Sequence, residues 1–87
     1  MDNCILVNVN LFSMEHSIFV ITDEGIKSYG TATCANLPGI LTGLSQDMGI
    51  NNIKLAGNSQ YAFNLVNEIK EHEMNLYSEN KINVEVI

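Results

Sequence analysis

The spacing of apolar residues changes along this chain, from the alternation typical of strands to the three- and four-residue spacing typical of helices. As far as Thr33, apolar side chains alternate with polar ones or form short β-branched runs. After Asn36 they recur on one helical face, and this happens twice, each time followed by a short strand-like segment. The change predicts strands first and alternating helices and strands afterwards, which is typical of an α/β domain.

The first part of the chain predicts an antiparallel meander. Its three strands are expected at residues 5–11, 18–21 and 26–33. Residues 13–16 form a polar break, and Asp23-Glu24-Gly25 predicts a hairpin turn because Gly25 can adopt a positive φ. Gly30 predicts a bulge, or a close approach of another backbone, within the third strand.

Two helices and two further strands follow. The first helix is expected to have Asn36 as its N-cap and to end at Gly49, and the second to be capped by Asn58 or Ser59. The remaining strands are expected at residues 53–56 and 82–87. The helical side chains predicted to face the core are Leu37, Ile40, Leu41, Leu44, Met48, Ala62, Leu65, Val66 and Ile69, with Leu76 added if the second helix continues.

The connections between these elements predict their arrangement. Strand–helix–strand connections are right-handed and place their two strands parallel. A chain of 87 residues is also short for two domains. We therefore expect one α/β domain over residues 1–87, with the order β-β-β-α-β-α-β and a single five-stranded mixed sheet of strand order 3-2-1-4-5.

The composition excludes several classes of protein. Hydrophobic residues make up 46% and charged residues 16% of the chain, which excludes a charged disordered tail. The net charge is −6, and four scattered lysines without any arginine argue against autonomous nucleic-acid binding. Because no secretory signal and no apolar stretch of membrane-spanning length is visible, a soluble cytoplasmic protein without membrane contact is expected.

The cysteines and histidines give only weak functional signals. Cys4 and Cys34 are expected to stay reduced, at opposite ends of the sheet. Cys34 precedes a helix N-terminus, which can activate a thiol, but the sequence places no base beside it and ordinary packing is favoured. His16 and His72 have no ligand partner at helical spacing, so both are expected on the solvated surface.

The order of elements resembles that of the ribonuclease H-like fold, which includes nucleases, transposases, resolvases and the halves of actin-like ATPases. The resemblance spans nearly the whole chain, as topology. It implies that a nuclease would carry acids in the first strand, near the end of the fourth strand and on a helix, together binding two divalent metal ions. The matching positions hold Asn8, Asn10, Gly57 and Asn58, and the first helix offers only Asp47. The resemblance therefore implies a scaffold with no catalytic residue, metal or cofactor.

The leading hypothesis is a small non-enzymatic interaction or regulatory protein, such as an accessory protein of a phage or mobile element. It would bind a protein partner, or a second copy in a homodimer, through a sheet edge or a charged surface. The candidate interaction residues are Val84, Val86 and Ile87 on the fifth strand and Glu68, Glu71 and Glu73 on the second helix. Acidic residues on a helix exterior are, however, more often only solvated.

Two alternatives remain open. The segment Gly57-Asn58-Ser59 lies where a strand enters a helix, and backbone N–H groups there can bind an anion, although a plain turn is favoured. A divergent ribonuclease H-like metal-dependent nuclease or nucleotide-binding domain would need Asp23, Asp47 and Glu85 to converge and supply the missing charge.

Overall fold

A five-stranded mixed sheet with two helices forms in the computed structural model, which describes residues 3–57, 60–72 and 81–87. The elements are β1 (Cys4–Asn8), β2 (Glu15–Thr22), β3 (Gly25–Thr33), α1 (Leu37–Met48), β4 (Asn52–Ala56), α2 (Gln60–Lys70) and β5 (Asn83–Val86). The strand order is β3-β2-β1-β4-β5, with β3, β2 and β1 antiparallel and β1, β4 and β5 parallel. The predicted fold class, element order and strand order are confirmed.

The loop between β1 and β2 makes the first strand shorter than predicted. The strand ends at Asn8 rather than at Leu11. The side-chain oxygen of Asn10 accepts backbone N–H bonds of 3.0 and 3.3 Å from the two residues after Leu11. Because these local bonds replace pairing with a neighbouring strand, the chain turns here and β2 begins at Glu15. The predicted bounds of the first strand and of the break at 13–16 are therefore wrong.

The turn and the bulge predicted from glycines are both confirmed. Gly25 has a φ of 124° and pairs with Thr22 across the hairpin. Gly30 has a φ of 84°, and the pairing of β2 with β3 shifts between Ser17 and Phe19. β3 therefore contains an extra residue at this point, which bends a sheet edge.

Both helices pack against the same face of the sheet, which we call the covered face. The buried strand residues alternate with residues that point to the opposite face. The core cluster consists of Ile5, Val7, Ile18, Val20, Ala32, Leu37, Leu41, Ile50, Ile53, Leu55, Leu65, Ile69, Ile82 and Val84. The hydrophobic core therefore lies between this face and the helices.

The buried face of α1 differs from the predicted one. The buried residues of the helix are Leu37, Leu41, Thr42 and Ser45. Ile40 and Met48 are 43% and 38% exposed, so their predicted core positions are wrong. Buried hydroxyls are tolerated here because they are bonded within the chain, as when Thr42 Oγ1 donates to the Pro38 carbonyl at 2.9 Å.

The two ends of α1 are built differently. Gly49 has a φ of 67° and its N–H donates to the Ser45 carbonyl, which confirms the predicted C-terminal glycine. Asn36 occupies the N-cap position, but its side chain donates to Thr33 Oγ1 at 3.3 Å instead of accepting from the first turn. The predicted N-cap position of Asn36 is therefore confirmed, although its side chain does not bond to the first turn.

α2 packs as its spacing predicts. Its buried residues are Ala62, Leu65 and Ile69. Val66 is partly buried against the core. The predicted cap at Asn58 or Ser59, the continuation to Leu76 and the acidic position Glu73 lie outside the described residues. Neither helix in the described part of the chain combines the length and the apolar character needed to cross a membrane.

Candidate functional site

Three side chains with polar or nucleophilic groups meet at the end of the sheet where β1 stops. His16 lies near the start of β2, where it pairs with Ala32 of β3. Cys34 directly follows β3, and Tyr61 lies near the start of α2. Because His16 alternates in phase with the buried Ile18, its ring points to the covered face, where α2 packs. We call Cys34, His16 and Tyr61 the thiol cluster.

The thiol cluster is held by short contacts. Tyr61 Oη lies 2.7 Å from Cys34 Sγ and 3.0 Å from His16 Nε2, while Nε2 and Sγ are 3.8 Å apart. The other ring nitrogen of His16, Nδ1, accepts the backbone N–H of Asn10 at 3.0 Å. His16 is fully buried, and Cys34 and Tyr61 are half-buried. The predicted surface position of His16 is wrong because β2 starts early enough to include it.

The bond from Asn10 determines which nitrogen of His16 carries the proton. Nδ1 must offer its lone pair, so the neutral ring holds its proton on Nε2 and donates it to Tyr61 Oη. The Tyr61 hydroxyl then donates to Cys34 Sγ. All the hydrogen bonds therefore run in one direction, from the Asn10 backbone through the two rings to the sulfur.

Both rings of the thiol cluster remain neutral donors near neutral pH. Burial lowers the pKa of His16, because the charged ring would lose its hydration. Burial also raises the pKa of Tyr61, and its hydrogen bond to Cys34, the charge of Cys34 and that of Glu68 add to this rise. Neither ring gives up or takes on a proton easily in this setting.

This arrangement excludes His16 as a base for the Cys34 thiol. A cysteine–histidine nucleophile needs a ring nitrogen with a free lone pair facing the sulfur, and Nε2 carries a proton instead. A metal ion on Nε2 would force the ring proton onto Nδ1, against the Asn10 N–H. The geometry is instead suited to stabilising negative charge on Cys34 Sγ by donation from Tyr61.

An open groove runs beside the thiol cluster between α1 and α2. Cys34, Glu68, Glu71 and His72 are among its lining residues. His72 is half-buried, with Nδ1 3.4 Å from Thr42 Oγ1 of α1, so its predicted solvated position is wrong. The groove therefore gives the sulfur a route to solvent that is lined with carboxylates.

The positions that the ribonuclease H-like resemblance assigns to acids have other roles here. Asn8 is exposed at the end of β1, and Asn10 builds the loop that follows it. Gly57 has a φ of 136°, and a Cβ there would lie 3.1 Å from the Cβ of Val9. Glycine is thus required for β4 to turn close to β1. Residues 58–59, the rest of the predicted anion-binding turn, lie outside the described residues.

The three acids that a divergent metal site would need, Asp23, Asp47 and Glu85, occupy separate elements. Asp23 lies in the β2–β3 turn, at the end of the sheet opposite Asn8, and Asp47 lies in the last turn of α1. Glu85 Oε1 lies 3.8 Å from Lys54 Nζ. Within the described part of the chain, no three His, Cys, Asp or Glu side chains are close enough to hold a metal ion.

The predicted edge patch on β5 is largely turned inward. Val84 is buried and Val86 is partly buried against the core, which leaves Ile87 exposed by 58%. Glu68 on α2 and Glu71, which directly follows α2, are exposed, as predicted. The apolar part of the predicted interaction surface is therefore reduced to Ile87.

The other face of the sheet carries no helix within the described residues, and we call it the uncovered face. The strand register places two rows of side chains across β1, β2 and β3 on this face. These rows are Cys4–Ile21–Ile26 and Leu6–Phe19–Ser28. Leu6, Phe19 and Ile21 are half-buried, and Ile26 is 68% exposed. The centre of the uncovered face is therefore a contiguous apolar patch.

Charged side chains are few on the uncovered face. Lys54 lies beside Leu6 and pairs with Glu85 on the next strand, and Glu15 lies at the rim. The other acids in the described part of the chain are on the helices or the β2–β3 hairpin, and they are Asp23, Glu24, Asp47, Glu68 and Glu71. As far as the described residues show, the uncovered face is thus close to neutral, in a chain of net charge −6.

No protein-family model and no curated protein matches this chain. The candidate sites therefore depend on geometry alone. Sequence reasoning missed Tyr61, for which spacing gives no signal, because its partners are distant in the chain. It also missed the uncovered face, although the unbroken apolar run 18–21 already indicates a strand that is apolar on both sides.

Proposed function

We propose that this chain is a non-enzymatic interaction domain that associates with a second copy of itself through the uncovered face. The main support for this proposal is that helices cover one face of the sheet but, in the described residues, not the other. The covered face is sealed by α1 and α2, whereas Leu6, Phe19, Ile21 and Ile26 form an apolar patch with no helix over it in the described residues. Contiguous apolar patches on a folded domain commonly mark interaction surfaces.

The size of the uncovered face suits a modest interface. Strands lie about 4.8 Å apart and rise about 3.3 Å per residue, so two such faces packed together would bury on the order of 1,000 Å² in total. That value is near the lower limit for a specific protein interface. Face-to-face packing of two sheets is also a common arrangement in β-sandwiches. We therefore expect an association that depends on protein concentration.

The charge distribution favours a second copy as the partner. Two chains of net charge −6 repel each other least where their surfaces are neutral, and the described residues of the uncovered face meet that condition. A basic partner would instead be attracted to the helix side, where Glu68 and Glu71 are exposed. The apolar patch would also meet apolar residues of its own kind under two-fold symmetry.

The sheet edges are less suited to self-association. β5 presents few apolar side chains because Val84 faces the core. β3 is the longer edge, but it contains the bulge at Gly30 and carries Lys27, and both features hinder pairing with another strand. The resemblance to the ribonuclease H-like fold enters the proposal as topology only. A cytoplasmic location, where neither free cysteine would be needed for a structural disulfide, is part of the same proposal.

Sedimentation analysis of matched variants tests this proposal. Ile26→Glu places a charge on the uncovered face, and Ile40→Glu places the same charge on an exposed position of α1. We expect the wild type and Ile40→Glu to gain mass with concentration and Ile26→Glu to remain monomeric. A wild type that stays monomeric at every concentration, or equal behaviour of the two variants, would contradict the proposal.

A further inference from the structure

We propose that Cys34 is a modification site that forms mixed disulfides with small, positively charged disulfides of the aminoalkyl class. Three observations combine in this assignment. Tyr61 donates to the sulfur, His16 supports Tyr61 from the buried side, and the groove beside the sulfur is lined by Glu68 and Glu71. The assignment is independent of self-association, because it concerns the helix side of the sheet.

The cluster directs a hydrogen-bond donor, the Tyr61 hydroxyl, at the sulfur of Cys34. The thiolate is the form that attacks a disulfide, and it accepts a hydrogen bond more strongly than the thiol does. Tyr61 Oη is 2.7 Å from Sγ, and the phenol keeps its proton because burial raises the pKa of Tyr61. Cys34 is half-buried, so the sulfur can be reached from the groove.

The reaction is a thiol–disulfide exchange in which atoms and electrons balance. Cys34 loses its proton to solvent, and its thiolate attacks one sulfur of the small disulfide. A new bond forms between Sγ and that sulfur as the original S–S bond breaks. The second sulfur leaves as a thiolate and takes up a proton from solvent, so Cys34 is oxidised and one small thiol is produced.

The preference for a positive charge comes from the groove. Glu68 of α2 and Glu71 just beyond its end are exposed carboxylates that line the groove. The groove-lining residues in the described part of the chain include no lysine. An ammonium group near the sulfur would be attracted to this wall and a carboxylate would be repelled. The selection should therefore weaken as salt concentration rises.

The experiment compares three disulfides of similar size by intact-protein mass spectrometry at low salt. These are cystamine (cationic), 2-hydroxyethyl disulfide (neutral) and 3,3′-dithiodipropionate (anionic). We expect one adduct, on Cys34, forming fastest with cystamine and absent in Cys34→Ser. Cys4, which is buried at the opposite end of the sheet, is the internal control. An adduct on Cys4 instead of Cys34 would overturn the assignment.

Two sets of variants separate the roles of the phenol and the carboxylates. Tyr61→Phe should slow all three reactions by about threefold or more, because the donor to the thiolate is lost. Glu68→Gln with Glu71→Gln should lower the cystamine rate about threefold to tenfold relative to the neutral disulfide. Glu24→Gln with Asp47→Asn removes the same charge far from the groove and should change that ratio by less than about twofold.

Either of two results from these variants would also overturn the proposal. One is a Tyr61→Phe variant that reacts as fast as the wild type. The other is an unchanged charge preference after both groove carboxylates are neutralised, a test that leaves the thiol cluster intact. Neither result bears on self-association through Ile26, so the two proposals fail separately.

Discussion

The two faces of the sheet are built from the same strands but have different amounts of protein over them. On the covered face, Ile5, Val7 and Ile53 are fully buried beneath the helices. On the uncovered face, Leu6, which lies between Ile5 and Val7 in sequence, is only half-buried although it is equally apolar. An apolar strand residue therefore does not by itself show which face forms the core. Two helices of this length can seal one face of a five-stranded sheet.

The largest predicted difference between the faces is in stability. Leu65→Ala opens a cavity beneath the covered face and should lower the free energy of unfolding by about 2–5 kcal/mol. Phe19→Ala removes a larger side chain from the uncovered face and should cost only about 1 kcal/mol, because solvent already reaches it. Urea unfolding at low protein concentration measures both. Equal losses would contradict the division into two faces.

A smaller difference in stability is expected between alanine substitutions at two glycines. Gly57→Ala forces a side chain into a left-handed conformation 3.1 Å from Val9, at the margin of the core, and should cost about 1–3 kcal/mol. Gly43→Ala meets nothing within 4 Å on α1 and should stabilise the helix by about 0.5–1 kcal/mol. Thermal unfolding of the two variants should therefore shift in opposite directions. A destabilised Gly43→Ala would show that α1 is more closely packed on that side.

The smallest predicted effect is on the pH dependence of stability, and it tests whether His16 is buried on the covered face. Burial lowers the pKa of His16, so the unfolded chain binds a proton at mildly acidic pH that the folded chain does not. Stability should therefore fall as pH decreases through the ordinary histidine value of about 6.5. His16→Gln should reduce this dependence and His72→Gln should keep it. Identical pH profiles for wild type and His16→Gln would contradict the assignment.

Much of the fold could be predicted because its signals are local. The alternation before Thr33, the glycines of the turn and bulge, and the spacing of Leu65 and Ile69 each depend on a few neighbouring residues. The predictions of element bounds are wrong where two local sequence signals favour different structures. Hydrogen bonds to the Asn10 side chain end β1 before Leu11, and β2 then begins early enough to include His16. His16 is therefore buried in the core, whereas the sequence predicted a loop there.

The candidate sites were less predictable because they depend on packing between distant segments. Tyr61 lies 45 residues from His16 in sequence, and only the position of α2 brings the two rings together. Ile40 and Met48 fit a helical stripe as well as Leu41 does, so their exposure depends on how α1 turns toward α2. Which sheet face remains uncovered likewise depends on where both helices dock.

The most direct test of self-association is methyl NMR of the wild-type protein over a range of concentrations. Self-association through the uncovered face predicts shifts or broadening at Leu6, Ile21 and Ile26 as concentration rises, with Ile40 unchanged. Shifts confined to Ile87 would instead indicate pairing through the β5 edge. Either that pattern or the absence of any concentration-dependent change would contradict the account.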